Sequence, residues 1–293
     1  MDYSHLAFIL LAVSIISLWF ERLKAYWGLF LIVSVLLAGI AGIITPWGLI
    51  PIGLFIISGL LFRDLAPDYK GGMRSLLILQ GYAVATLLSL ALALHIVPGY
   101  SPMVFFADRQ ISPDALTYTM RWNYDKAIAG LCLVRYFSNV ELKQKAADAL
   151  YLTAAVVILT TVSVLSFAYL MGLIRLDVKW PDFFLVWAFS NLFITCIAEE
   201  AFFRGFIQAS LFAQLSRYRF GAIISLVIAS VLFGVAHISG GSEYAFVSGL
   251  AGIGYGVAYW ATGRLEASIV THFLVNAVHF ILFTYPMLAV SGW

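Results

Sequence analysis

Glu199, Glu200 and Arg204 lie in the otherwise apolar stretch Cys196-Ile-Ala-Glu-Glu-Ala-Phe-Phe-Arg-Gly-Phe206. His237 ends the run Ser230-Val-Leu-Phe-Gly-Val-Ala-His, and His272 and Asn276 share Thr271-His-Phe-Leu-Val-Asn. Residues four apart on a helix share a face, so Glu200 and Arg204 can pair, and His272 and Asn276 project the same way. Glu200 with Arg204 reads equally well as an ion pair locking two helices or as part of a reacting group. Glu199 points about 100° away around the axis. A second, adjacent carboxylate in an apolar segment adds desolvation cost with no structural gain, so Glu199 reads as functional. Beside His272 and Asn276, His237 reads the same way. His279, one turn beyond Asn276, reads as structural, and His5 and His95, near the ends of apolar runs, as interfacial.

A carboxylate and two imidazoles in a low-dielectric cavity are the parts of a hydrolase. Burial would make Glu199 a base able to work near neutral pH, taking a proton from a water that His237 helps to orient. His272 and Asn276, on one face, can donate hydrogen bonds to the oxyanion of a tetrahedral intermediate. The arrangement demands no covalent nucleophile, no metal and no cofactor.

Glu199-Glu200-x-x-x-Arg204, Phe233-x-x-x-His237 and His272-x-x-x-Asn276, in that order, resemble the three motifs of the CPBP family. These are the type II CAAX prenyl endopeptidases and their bacterial Abi-like relatives, glutamate-dependent intramembrane proteases. The resemblance covers about residues 180–285. It implies that Glu199 and His237 activate water, that His272 and Asn276 form the oxyanion site, and that Glu200 and Arg204 support the first motif. The resemblance gives no substrate, and no motif reads a prenyl group; the expected partner is a membrane-protein or lipidated peptide substrate. Eukaryotic members remove the last three residues of prenylated CAAX proteins, whereas many bacterial members have other substrates or are linked to bacteriocin immunity.

Other readings of the same residues stand beside this one. A zinc peptidase would use His237, His272 and Glu199 as ligands with water as the fourth, although H-E-x-x-H is absent. A non-enzymatic transporter or immunity-type protein would use the buried charges as a proton or ion relay, although no inverted repeat is evident. A catalytically idle scaffold would not need the complete motif set.

The elements that must position these residues follow from composition. The chain is 62% hydrophobic and only 11% charged, against about 25% charged in soluble domains. That excludes a disordered chain, a basic nucleic-acid binder and an ordinary soluble enzyme. A net charge of +2 steers no ionic partner, and Cys132 and Cys196 cannot build a disulfide scaffold. The expected fold is all-α, a polytopic transmembrane bundle of about eight or nine helices in the lipid bilayer of the cell (inner) membrane. Candidate spans are 6–20, 25–44, 48–62, 75–97, 149–174, 183–203, 221–237, 244–262 and 266–287, the third short enough to be re-entrant. Met1 to Phe20 lacks a basic n-region and a cleavage site, and reads as an uncleaved first helix.

The long polar interruption from Gly99 to Asp148 divides the chain into N-terminal helices (1–98), a polar loop (99–148) and a catalytic membrane part (149–293). The loop is expected outside the membrane, with an amphipathic segment over Ala127–Leu150 lying at the interface. Arg22, Lys24, Arg63, Lys70, Arg74, Arg175 and Lys179 fall on one side, expected to be cytoplasmic; Arg217 and Arg219 break the alternation. Strict alternation also places His237 late in its helix and His272 early in one two helices later. Their convergence therefore requires helices that are offset, tilted or broken.

Overall fold

The computed structural model describes residues 2–138 and 146–289. Each apolar run read above coincides with a helix, because in lipid only a helix pairs all its own backbone groups. The first four are α1 (Tyr3–Ser17), α2 (Trp27–Ile40), α3 (Leu49–Leu60) and α4 (Gly71–Ala93). A hairpin of β1 (Met103–Arg109) and β2 (Tyr118–Trp122) follows, then α5 (Tyr124–Cys132), which continues through Leu133–Phe137 as π turns. The C-terminal half holds α6 (Ala146–Leu170), α7 (Phe184–Leu215), α8 (Gly221–Ala236), α9 (Ser242–Thr262) and α10 (Leu265–Leu282).

Among the described residues, five helices are long and apolar enough to cross a membrane: Pro46–Asp68, Gly71–Ala93, Asp148–Leu170, α7 and α10. In α4 and α6 only 22% and 17% of the apolar window is buried within the protein, so most of that apolar surface faces outward, as lipid contact requires. The chain is an integral membrane protein of the all-α class. The expectation of a short, re-entrant third segment is corrected: 3₁₀ and π turns extend α3 at both ends into a 23-residue helix.

The chain forms two compact units. Unit 1 contains Met1–Met103, Trp122–Val140 and Phe193–Phe202, and unit 2 the rest. In unit 1, α1 pairs with α2, and α5 packs against α1, α3, α4 and the turn Ile197–Glu200. Tyr124, at the start of α5, shares a 2.5 Å hydrogen bond with Ser34, whose hydroxyl also lies 2.6 Å from the Ala7 carbonyl.

The position of α5 differs from the interfacial segment expected over Ala127–Leu150. Ala127 to Val134 are all buried. Partners distant in sequence satisfy the charges of its first turn, so the helix sits within unit 1 despite its polar start. Gly130 permits this packing, since a Cβ there would stand 2.9 Å from Ala198 Cα. Residues 139–145 of the same segment, with Glu141, Lys143 and Lys145, lie outside the described residues.

In unit 2, α9 packs against α6, α8 and α10. Its small residues, among them Gly252, Gly254 and Gly256, let neighbours approach closely. A Cβ on Gly254 would lie 2.2 Å from Thr160 Oγ1, and one on Gly256 2.9 Å from Gln208 Oε1. An aromatic cluster closes one end of this unit: Trp187 stacks on Phe280 at 4.1 Å and donates to the Tyr285 hydroxyl at 3.1 Å. Met120, Phe183 and Phe184 belong to the same cluster.

Candidate active site

The two carboxylates of the first motif belong to unit 1. They sit in the single α turn Ile197–Glu200, between π segments Ser190–Cys196 and Ala201–Gln208. π windings of this kind are frequent at functional sites because they re-aim side chains along an otherwise regular helix. Glu200 is fully buried. Glu199 accepts a 2.7 Å hydrogen bond at Oε1 from Lys126 Nζ, and the side chains of Glu199 and Lys126 are 14% and 19% exposed. Lys126 comes from the first turn of α5, within the polar stretch expected outside the membrane.

The imidazoles and the asparagine belong to unit 2. His237 caps the C-terminus of α8, and its Nδ1 lies 2.7 Å from the Phe233 carbonyl. A carbonyl only accepts, so Nδ1 carries a hydrogen, and in the neutral tautomer that fits this bond the lone pair is on Nε2. The Phe233 ring lies 4.5 Å from that of His237 and 5.6 Å from that of His272. One aromatic side chain thus touches both histidine rings, one at the end of α8 and the other in the first half of α10. His272 is itself buried, stacked on Tyr255 at 4.4 Å and 14°.

Arg204, also in unit 2, is fully buried. It donates from Nη2 to the Gly252 carbonyl at 2.8 Å, and its guanidinium lies 4.7 Å from the Phe233 ring centre and 5.3 Å from that of Tyr255. It therefore braces the two rings that hold His237 and His272. Asn276 Nδ2 donates to Asn191 Oδ1 at 3.3 Å, which orients the Asn276 amide. His279, read as structural, is bound through Nε2 to the Thr284 carbonyl at 3.0 Å.

Sequence reasoning missed Lys126, Asn191 and Tyr255. Asn191 was visible as an amide within a candidate span. Lys126 carried no signal, being one of many charges in a polar stretch. Of the two residues expected at membrane interfaces, His5 pairs with Asp2 at 2.6 Å and His95 with Asp125 at 2.7 Å.

Helices long and apolar enough to cross a membrane make this a polytopic membrane protein, and among their side chains are the Glu199 and Glu200 carboxylates, the His272 imidazole and the Asn276 amide. Residues 181–278 are similar to the family of Rce1-like, type II CAAX prenyl endopeptidases. No curated protein and no solved structure matches the chain. The matched segment contains all three motifs. Lys126 lies outside it.

Proposed function

We propose that this protein is an intramembrane endopeptidase that hydrolyses a peptide bond of a membrane-associated or lipidated substrate. The observation that carries the reading is the family match over 181–278, which spans Glu199, Glu200, Arg204, His237, His272 and Asn276 together. The Glu199 carboxylate takes a proton from water, and the resulting hydroxide attacks the carbonyl carbon of the scissile bond. His237, through its Nε2 lone pair, orients that water. His272 and Asn276 donate hydrogen bonds to the oxyanion as the carbonyl π bond opens. The proton held by Glu199 then passes to the leaving nitrogen as the C–N bond breaks. Glu200 and Arg204 hold the first motif in place.

The test is a cleavage assay on a panel of membrane and lipidated peptides in detergent, comparing wild type with Glu199→Ala, with and without a strong chelator. Cleavage that is lost in the variant and indifferent to the chelator supports the glutamate mechanism. Loss on chelation would favour zinc, and cleavage that survives Glu199→Ala would refute the assignment.

A further inference from the structure

Lys126 supplies a cation within hydrogen-bond distance of the proposed base, and its placement is built in at several levels within unit 1. The first turn of α5 carries Asp125 and Lys126 side by side. Asp125 is buried; its Oδ2 lies 2.7 Å from His95 Nδ1, and its Oδ1 accepts the Lys126 backbone N–H at 2.9 Å. That pair fixes where α5 begins. One turn further on, the close approach of Gly130 to Ala198 presses α5 onto the turn that carries Glu199. With its backbone held at both points, Lys126 reaches Glu199 Oε1 at 2.7 Å.

We propose that Lys126 is a positioning residue for the Glu199 carboxylate, an inference that rests on the proteolytic reading above. A buried ion pair is a weak stabiliser, because desolvating two ions offsets much of their attraction. What it does provide is direction: one carboxylate oxygen is committed to the ammonium, and the orientation of the carboxylate toward its water follows. Misplacement of a reacting group by about 1 Å can cost about 10²-fold in rate. A segment outside the family match therefore controls the alignment of the motif carboxylate.

The experiment compares wild type, Lys126→Met, Lys126→Arg, Glu199→Gln and the double variant Lys126→Met/Glu199→Gln, purified in detergent. Single-turnover and steady-state cleavage are measured on the peptide that wild type cuts, and thermal unfolding on every variant. The expected result is a kcat lowered about 10- to 100-fold in Lys126→Met with KM unchanged. Lys126→Arg should recover most of the loss. The thermal cost of Lys126→Met should shrink when Glu199 is already Gln, since the cation then has no anion to lose. A folded Lys126→Met that cleaves at the wild-type rate would overturn the proposal, as would failure of Lys126→Arg to restore any activity. If Lys126→Met does not accumulate, the double variant decides: recovery of folding supports the pairing, and equal failure overturns it. If wild type cuts no peptide while the thermal cycle shows coupling, the ion pair stands but the proteolytic reading falls, and the positioning role falls with it.

Discussion

His237 Nδ1 lies 2.7 Å from the carbonyl oxygen of Phe233, one turn back along α8, and the Phe233 ring packs against both His237 and His272. The bond sets the tautomer and the ring contact sets the place. Each can be disturbed separately.

In His237→Asn the amide nitrogen takes the place of Nδ1 and keeps a donor for the Phe233 carbonyl, but nothing replaces Nε2. We expect near-wild-type thermal stability with a rate lowered about 10²–10⁴-fold, the usual contribution of a group that manages a proton. Thermal unfolding and single-turnover cleavage on one preparation check this. A stability loss without a rate loss would make His237 structural.

Asn276→Ala removes a donor assigned to the oxyanion and should lower kcat by about 10²–10³, with little change in substrate affinity. Asn276→Asp should be worse, since a carboxylate repels the developing charge. Asn191→Ala, which releases the Asn276 amide from its 3.3 Å partner, should show a smaller loss in the same direction. Steady-state kinetics with a binding measurement on the inactive variants separate these outcomes from a packing role.

Arg204→Ala deletes a fully buried guanidinium, its bond to the Gly252 carbonyl and its contacts with Phe233 and Tyr255. A hydrogen bond to a charged group contributes about 1.5–3 kcal/mol, so folding yield and thermal stability should both fall. Glu199→Gln keeps a carbonyl oxygen to accept from Lys126, and should fold well while losing activity. Equal loss of expression in both would show that Glu199 is a structural carboxylate.

Asp177, in the connection between α6 and α7, offers a pH-dependent test outside the membrane spans. Burial pushes its carboxyl up, but the Ser112 hydroxyl and the Lys179 ammonium more than offset this and hold it below its ordinary 3.8. A depressed carboxyl stabilises the fold fully above its unfolded value, and that stabilisation is lost as pH falls through the folded value. The stability difference between wild type and Asp177→Asn should therefore be constant near neutrality and shrink below about pH 4. Thermal unfolding across an acid pH series reads it, and a difference that grows toward low pH would contradict the assignment.

Local information in the chain was enough for the helices and for the motifs that carry the family similarity. Hydropathy runs mark where the backbone must be helical, since lipid offers no other partner for its polar groups. Spacings of four, as in His272 and Asn276, mark side chains that share a helix face. Neither kind of information reaches across the chain. The first turn of α5 reads as surface because Asp125 and Lys126 are charged, yet it lies within unit 1. Their partners, His95 and Glu199, stand 30 residues before and 73 residues after them. The partnership of Asn191 with Asn276 spans 85 residues. A buried charge is tolerated only where an opposite charge or a donor already waits. Tertiary packing alone decides which distant residue that is, and so decided that Lys126 meets Glu199.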